Sequence, residues 1–512
     1  MVISPQSPNF AAILPKTMRN IFSHIPIPLH LLLIIMAIVL RLPAFVPDYF
    51  QTDEALFGVC AQKLVEGKAL YSQAWFSGPP LIIWFYSIFH FLFGKFWLIA
   101  LRIFAIFYIY VFAVYFNSWL SEYRPFEKYP LLPAFIIILL SSSPWYSLEL
   151  NVETLTLFPL LIAYQSIIQT SERNLVSYQP FFLTGILIML CMMISFTSLI
   201  FFLSVIFLYL FIRRPAIDEM TALLGGSFVS LVIVCIVLYY TDSLGGFFDM
   251  GILYGFDLLK YEIFNEPFKG LQQSFFGFLT VEALFVVLAG LGFFYFRIKY
   301  FTSLVRIRRL EAGMAIWLAA GLIALFLSTS RSELHEWMLI APPLAFYATR
   351  AFDIPFRKWV YAPVLFLSFA PTMITYISFW VNYNTKAIYN EGEPIFPNKA
   401  LQKYFVGKYA KHGIWLMEHK PEVYLALNRP CATKYADYRI VYQKFHPLPY
   451  ASTHLMVSSI ESDAAIFEEF QKNMPAYILD RSDLFPKIRE MYPALFYTYK
   501  SEEVGGYKIY HK

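Results

Sequence analysis

A chain of 512 residues that is 58% hydrophobic and only 15% charged, with a mean hydropathy of +0.55, is too apolar for a water-soluble domain, which averages about 25% charged. Its formal net charge of +5 comes from lysines and arginines scattered in short clusters between apolar runs, which argues against a nucleic-acid partner and leaves those residues to set membrane topology. The four cysteines, at 60, 191, 235 and 431, lack metal-ligand spacing and imply neither a zinc site nor a disulfide framework.

In chain order, Lys16 and Arg19 precede a first apolar segment, residues 28–46, long enough to cross a bilayer core of ~30 Å at ~1.5 Å per residue. It is too long for a signal peptide and no small-residue cleavage site follows, so it reads as a retained helix. Next comes a polar stretch: Asp53 and Glu54 open a helical pattern through Leu56, Val59, Cys60, the stem of Lys63 and Leu64, followed by Gly67, Lys68 and Tyr71 and then Gly78-Pro79-Pro80. That pattern predicts a short helix on the membrane surface. Residues 79–94 are apolar but short, and read as a second interfacial or re-entrant helix.

Further apolar segments at 95–118, 129–144, 153–169, 180–195, 197–212, 221–240, 273–296, 310–329, 335–350 and 359–381 bring the expected transmembrane helices to about eleven. Basic clusters at Lys16/Arg19, Arg124/Lys128, Arg173, Arg213/Arg214, Arg297–Arg309 and Arg350–Lys358 fall in alternate connections, which the positive-inside rule makes cytoplasmic together with the N-terminus. Treating residues 79–94 as a span would reverse every later cluster. The connections at 47–94, 145–152, 241–272 and 330–336, and everything after about 382, then share the external side.

The sequence thus divides into a transmembrane part, 1–381, and a C-terminal part, 382–512, with regular charges and short alternating runs. Ile414–Met417, Tyr438–Tyr442, Ala476–Asp480, Phe496–Lys500 and Tyr507–Tyr510 read as strands, with helical patterns at 399–411, 461–473 and 483–491 between them. This predicts a small soluble α/β domain whose last two strands form a hairpin through Glu502–Gly506. It contains no Gly-rich phosphate loop and no nucleophile elbow.

The unusual polar residues collect on the external side. A carboxylate beside lipid can serve as general base toward a hydroxyl, and Asp53 with Glu54 has that position, although acids in a first helical turn also simply complement the helix dipole. A second acidic patch holds Glu149 and Glu153, and a third stretch brings Arg331 and His335 to the mouth of a later span. Arginine suits a phosphate because its fork donates two hydrogen bonds to one anion, whereas a lone Arg at a helix mouth also serves as a snorkelling anchor. Arg102, one or two turns inside its span, is costly enough there to be a functional candidate or half of a structural ion pair, with Glu149 or Glu153 as partner.

The order of acidic pair, surface helix, Gly-x-x-Leu-Tyr and then Pro-Pro-Leu resembles the first external loop of the GT-C glycosyltransferases that use lipid-linked sugars, in the branch of the protein O-mannosyltransferases and the aminoarabinose transferases acting on lipid A. The resemblance implies an inverting glycosyltransferase of the cell envelope that moves a hexose or pentose from a polyprenyl-phosphate donor to a lipid, glycan or protein acceptor at the external face of a bacterial inner membrane. It implies Asp53 as base, Glu54 and Glu153 as positioning carboxylates, and Arg331 and His335 as cations for the donor phosphate. No cofactor is required in this scheme, although Asp53, Glu54 and Glu153 would suit a hard divalent cation better than zinc. The chain departs from the family at Gly78, where relatives commonly carry Lys before Pro-Pro; Arg331, His335, Lys68 or Arg102 would have to supply the missing charge. Two readings of other classes stand beside this one: a transporter or flippase of lipid-linked sugars, for which matching Gly/Pro-broken halves are absent, and a non-catalytic assembly subunit.

Overall fold

The computed structural model describes residues 27–46, 51–123, 126, 131–143, 148–173, 178–213, 216–253, 269–300, 305–327, 334–355, 358–385, 399–408, 412–418, 420–436, 463–481 and 483–512. Every expected apolar segment falls on a helix: α1 (Ile27–Arg41), α2 (Thr52–Val65), α3 (Leu81–Phe93), α4 (Trp97–Ser121), α5 (Leu132–Leu140), α6 (Val152–Arg173), α7 (Tyr178–Ile194), α8 (Ser198–Ile212), α9 (Ile217–Tyr240), α10 (Lys269–Tyr300), α11 (Val305–Leu327), α12 (Ala341–Ala351) and α13 (Lys358–Thr385). Six stretches among the described residues are long and apolar enough to cross a membrane, Leu81–Ser121 counted as one; α7, α8 and the Phe369–Val381 part of α13 are shorter apolar helices. The chain is a polytopic, integral membrane protein.

Leu81–Ser121 is bent back on itself. Gly94, at φ +52, opens a 3-10 turn that ends α3, and the rings of Phe85 and Phe89 then pack on Phe104 of α4. At thirteen residues α3 reaches only about 20 Å, short of the hydrocarbon thickness. Helices α7 and α9 approach more closely than side chains would permit: a Cβ on Gly185 would lie 2.0 Å from the Leu223 carbonyl oxygen, and one on Gly226 2.0 Å from that of Phe182. Small residues permit such backbone contact where lipid offers no hydrophobic drive to associate.

The C-terminal part contains a four-stranded sheet of order β1-β2-β4-β3, from β1 (Ile414–Leu416), β2 (Tyr477–Asp480), β3 (Lys500–Val504) and β4 (Tyr507–His511). β1 and β2 run parallel, and the other neighbours are antiparallel. The expected hairpin is present, with Gly505 and Gly506 both at positive φ as a tight primed turn requires. Its first strand begins at Lys500 rather than Phe496, because Pro493 starts a helical turn that buries Phe496 against Phe470. Tyr438–Tyr442 lies outside the described residues.

Helix α2 does not float on the membrane surface with one apolar face, as its sequence pattern predicts. It is buried nearly all round. Leu56, Cys60, Trp75 and Tyr86 of the first loop join Trp415, Phe470, Ile478 and Ile509 of the C-terminal part in one hydrophobic core. Backbone bonds reinforce the junction: Trp75 N–H donates to the Lys434 carbonyl at 3.0 Å, and the Lys63 ammonium donates to that of Thr433. The loop beginning at Asp53 is therefore clamped between the membrane helices and the 420–436 segment of the C-terminal part.

Candidate active site

The first turn of α2 sends its two carboxylates to different places. Glu54 turns inward onto Arg102, whose Nη2 lies 2.5 Å and Nε 3.4 Å from the two carboxylate oxygens, with side chains only 1% and 5% exposed. Arg102 also donates to the Ala44 carbonyl, tying α4 to the end of the first span. The partner of Arg102 is thus Glu54, not Glu149 or Glu153. Asp53 stays at the edge, with its side chain 20% exposed.

The second acidic patch is held by backbone bonds. Asn151 caps α6 by accepting the Thr154 N–H at 2.8 Å, while its amide donates to Glu149 Oε1 at 3.4 Å. Arg41 donates to the carbonyls of Ser141 and Leu148 at 2.7 and 3.1 Å, and Tyr86 donates to that of Leu150 at 2.9 Å. Donors from α1 and α3 therefore fix the peptide carbonyls on either side of Glu149.

The third stretch forms a 3-10 helix, Leu334–Ile340, anchored by the Trp317 indole donating to the Leu339 carbonyl at 2.8 Å and by Trp337 stacking on Phe278. It carries His335 to a point where Nε2 lies 3.5 Å from Glu153 Oε2 and 4.0 Å from Asp53 Oδ2. Three segments far apart in sequence thus converge on one imidazole. Glu149 lies behind them, fully buried, and burial holds its carboxyl above the usual range; the nearby Glu54 charge adds to this, while His335, a backbone N–H and Arg41 oppose it.

Similarity to solved structures gives the fold. Over 94% of this chain and 97% of the other, the structure superimposes on that of ArnT from Cupriavidus metallidurans bound to undecaprenyl phosphate, with a TM-score of 0.58 at 13% sequence identity. The chain has the GT-C fold. The apo oligosaccharyltransferase of Archaeoglobus fulgidus is also similar, with a TM-score of 0.48 and 12% identity over 91% of this chain and 70% of that one. No protein-family model matches the chain, and no curated protein matches it in sequence.

Within this fold the sequence candidates separate. Asp53, Glu153 and His335 come together, with Glu54 and Arg102 as a buried pair behind Asp53. Lys68 does not join them: it follows Gly67 at the other end of α2, roughly 20 Å away at the helical rise. There it lines a polar cleft of about 560 Å³ shared with Lys434 and Lys472 of the C-terminal part. Arg331 lies outside the described residues. Gly78 has a local reason to lack a side chain, since a Cβ there would meet the Phe76 ring at 2.7 Å, and its carbonyl accepts the Tyr71 hydroxyl at 2.8 Å.

As placed, Asp53 and Glu153 both face an imidazole, and among the described residues no group of three His, Cys, Asp or Glu side chains is arranged to hold a metal ion. Sequence reasoning missed Arg41, Tyr86 and Asn151 as supports. Only Arg41 carried a usable signal, a lone charge near the end of an apolar run.

Proposed function

We propose that this protein is an inverting glycosyltransferase that takes a hexose or pentose from a polyprenyl-phosphate donor and passes it to a lipid, glycan or protein acceptor at the external face of a bacterial inner membrane. Asp53 accepts the proton of the acceptor hydroxyl, whose oxygen bonds to the anomeric carbon from the face opposite the phosphate. The bond from that carbon to the phosphate oxygen breaks, and its electron pair leaves on the polyprenyl phosphate. Glu153 and His335 hold Asp53 in place, and the Glu54–Arg102 pair fixes the helix end that carries it. Arg331, four residues before His335 on the same connection, is the cation assigned to the leaving phosphate.

The observation that carries this reading is the convergence of Asp53, Glu153 and His335 at one end of the span-length helix α6. A donor dissolved in the membrane has its reactive phosphate at that depth. The fold is compatible with such a donor, and assignment to the O-mannosyltransferase and aminoarabinose-transferase branch rests on the first-loop sequence pattern. The test is consumption of polyprenyl-phosphate sugars, offered as a panel to the purified protein in detergent. Asp53→Asn should keep donor binding and lower turnover by ~10²–10⁴-fold, the usual contribution of a general base. Near-normal turnover in that variant would remove Asp53 from the chemistry.

A further inference from the structure

Helix α6 also serves as a ruler. Glu153 meets His335 near its start, while Glu172 near its other end pairs with Arg306 at 2.8 Å, and nineteen helical steps separate the two, roughly 28 Å. The Arg306 end of the molecule is therefore about one hydrocarbon thickness from the carboxylate cluster. At that end, the last turns of α8 and α10 and the first turns of α11 enclose a cavity of about 570 Å³, within the usual range of ligand pockets.

The cavity is amphipathic along its length. One wall is Phe207 and Phe211 of α8, stacked at 6.1 Å between ring centres and left 57% and 66% exposed. The depression exists because α11 presents Ala312 and Ala315 there, whose short side chains leave the space between helices unfilled. Its lining also holds three guanidinium groups, those of Arg297, Arg308 and Arg309, against one carboxylate, Glu311. Arg297 is bound to Glu311 at 2.9 Å and Arg309 donates to the Ser171 carbonyl, whereas exposed Arg308 has no bonded partner among the described residues. Arg306 is turned away, toward Glu172 and Tyr123.

An apolar trough at hydrocarbon depth ending in surplus arginines at headgroup depth matches an amphiphile with an anionic head, and basic pockets between transmembrane helices bind such heads. A free phosphate would have no use for the phenylalanine wall, and a zwitterionic lipid no use for the surplus charge. We propose that this groove binds one anionic phospholipid of the leaflet opposite the carboxylate cluster, with its phosphate on Arg308 and Arg309 and an acyl chain along Phe207 and Phe211.

The test needs no assumption about sugar transfer. Full-length protein in detergent is incubated with phosphatidylglycerol or phosphatidylcholine and examined by native mass spectrometry. The wild type should retain one phosphatidylglycerol in preference to phosphatidylcholine. Arg308→Ala should weaken retention by about fivefold, the value of roughly one cationic contact at a membrane surface. Ala315→Leu should weaken it through the trough with every charge intact, and Phe211→Ala gives a second trough variant if Ala315→Leu does not fold. Equal retention of both lipids by the wild type, unchanged phosphatidylglycerol retention in Arg308→Ala, or unchanged retention in the folded trough variants would each overturn the site.

Discussion

Replacing Glu54 with Gln tests whether the first helical turn is held by the buried ion pair or merely decorated by it. Both side chains are almost wholly out of solvent and the contact is two-pronged, so loss of one charge leaves the Arg102 guanidinium buried without its carboxylate. Breaking a buried pair from one side costs about 3–5 kcal/mol, whereas replacing both partners with apolar residues of similar volume is often neutral or stabilising. Glu54→Gln should therefore be strongly destabilising and the double variant Glu54→Leu/Arg102→Met much less so. The difference appears as a coupling energy in a double-mutant cycle, measured by equilibrium unfolding in mixed detergent and SDS. Affinity for polyprenyl phosphate supplies a second readout. Because Arg102 is committed to Glu54, the double variant should bind the lipid phosphate within about twofold of the wild type. A loss of tenfold or more, about 1.4 kcal/mol, would show Arg102 to be a phosphate ligand and refute the structural assignment.

Glu149→Gln probes the buried carboxyl behind the cluster. Burial raises its folded-state pKa, so the native protein binds this proton more tightly than the unfolded chain does; that stabilisation is complete below the ordinary carboxylate value of ~4.3 and is lost as pH rises through the raised one. The thermal midpoint of the variant should thus gain on the wild type as pH goes from about 4 to neutrality, and a difference independent of pH would contradict the burial argument. Topology is checked with a cysteine at Lys472, on the helix Asp463–Lys472 beside the cleft of the C-terminal part. A membrane-impermeant maleimide should label it in intact cells; labelling only after permeabilisation would reverse the sidedness inferred from the basic connections.

Most of the helices were legible because an apolar run of about twenty residues bounded by arginines fits little besides a membrane helix, and each run does fall on a helix. What the local pattern could not reveal was where chain segments meet. The acid pair at 53 and 54 looks uniform in sequence, yet one side chain faces Arg102 and the other His335, a distinction made by a helix turn of about 100° per residue and by partners roughly 50 and 280 residues away. Lys68 was a reasonable phosphate candidate by proximity in sequence, and the straight helix between it and Asp53 removes it. The burial of α2 was equally hidden: its composition is mildly amphipathic, and only long-range packing against the C-terminal part, Glu422–Ala426 included, covers the remaining face.

That covering segment has a consequence for biogenesis. Helix α2, which bears the proposed base, packs on Glu422–Ala426 and ties Lys63 to Thr433, so it gains its outer support only after a segment 370 residues further along the chain has been made and has docked. Insertion of the membrane helices can run ahead of this step, but assembly of the loop that begins at Asp53 cannot. A chain truncated before Glu422 should accordingly insert its membrane helices yet leave that loop unassembled, which increased protease cleavage within the loop would report.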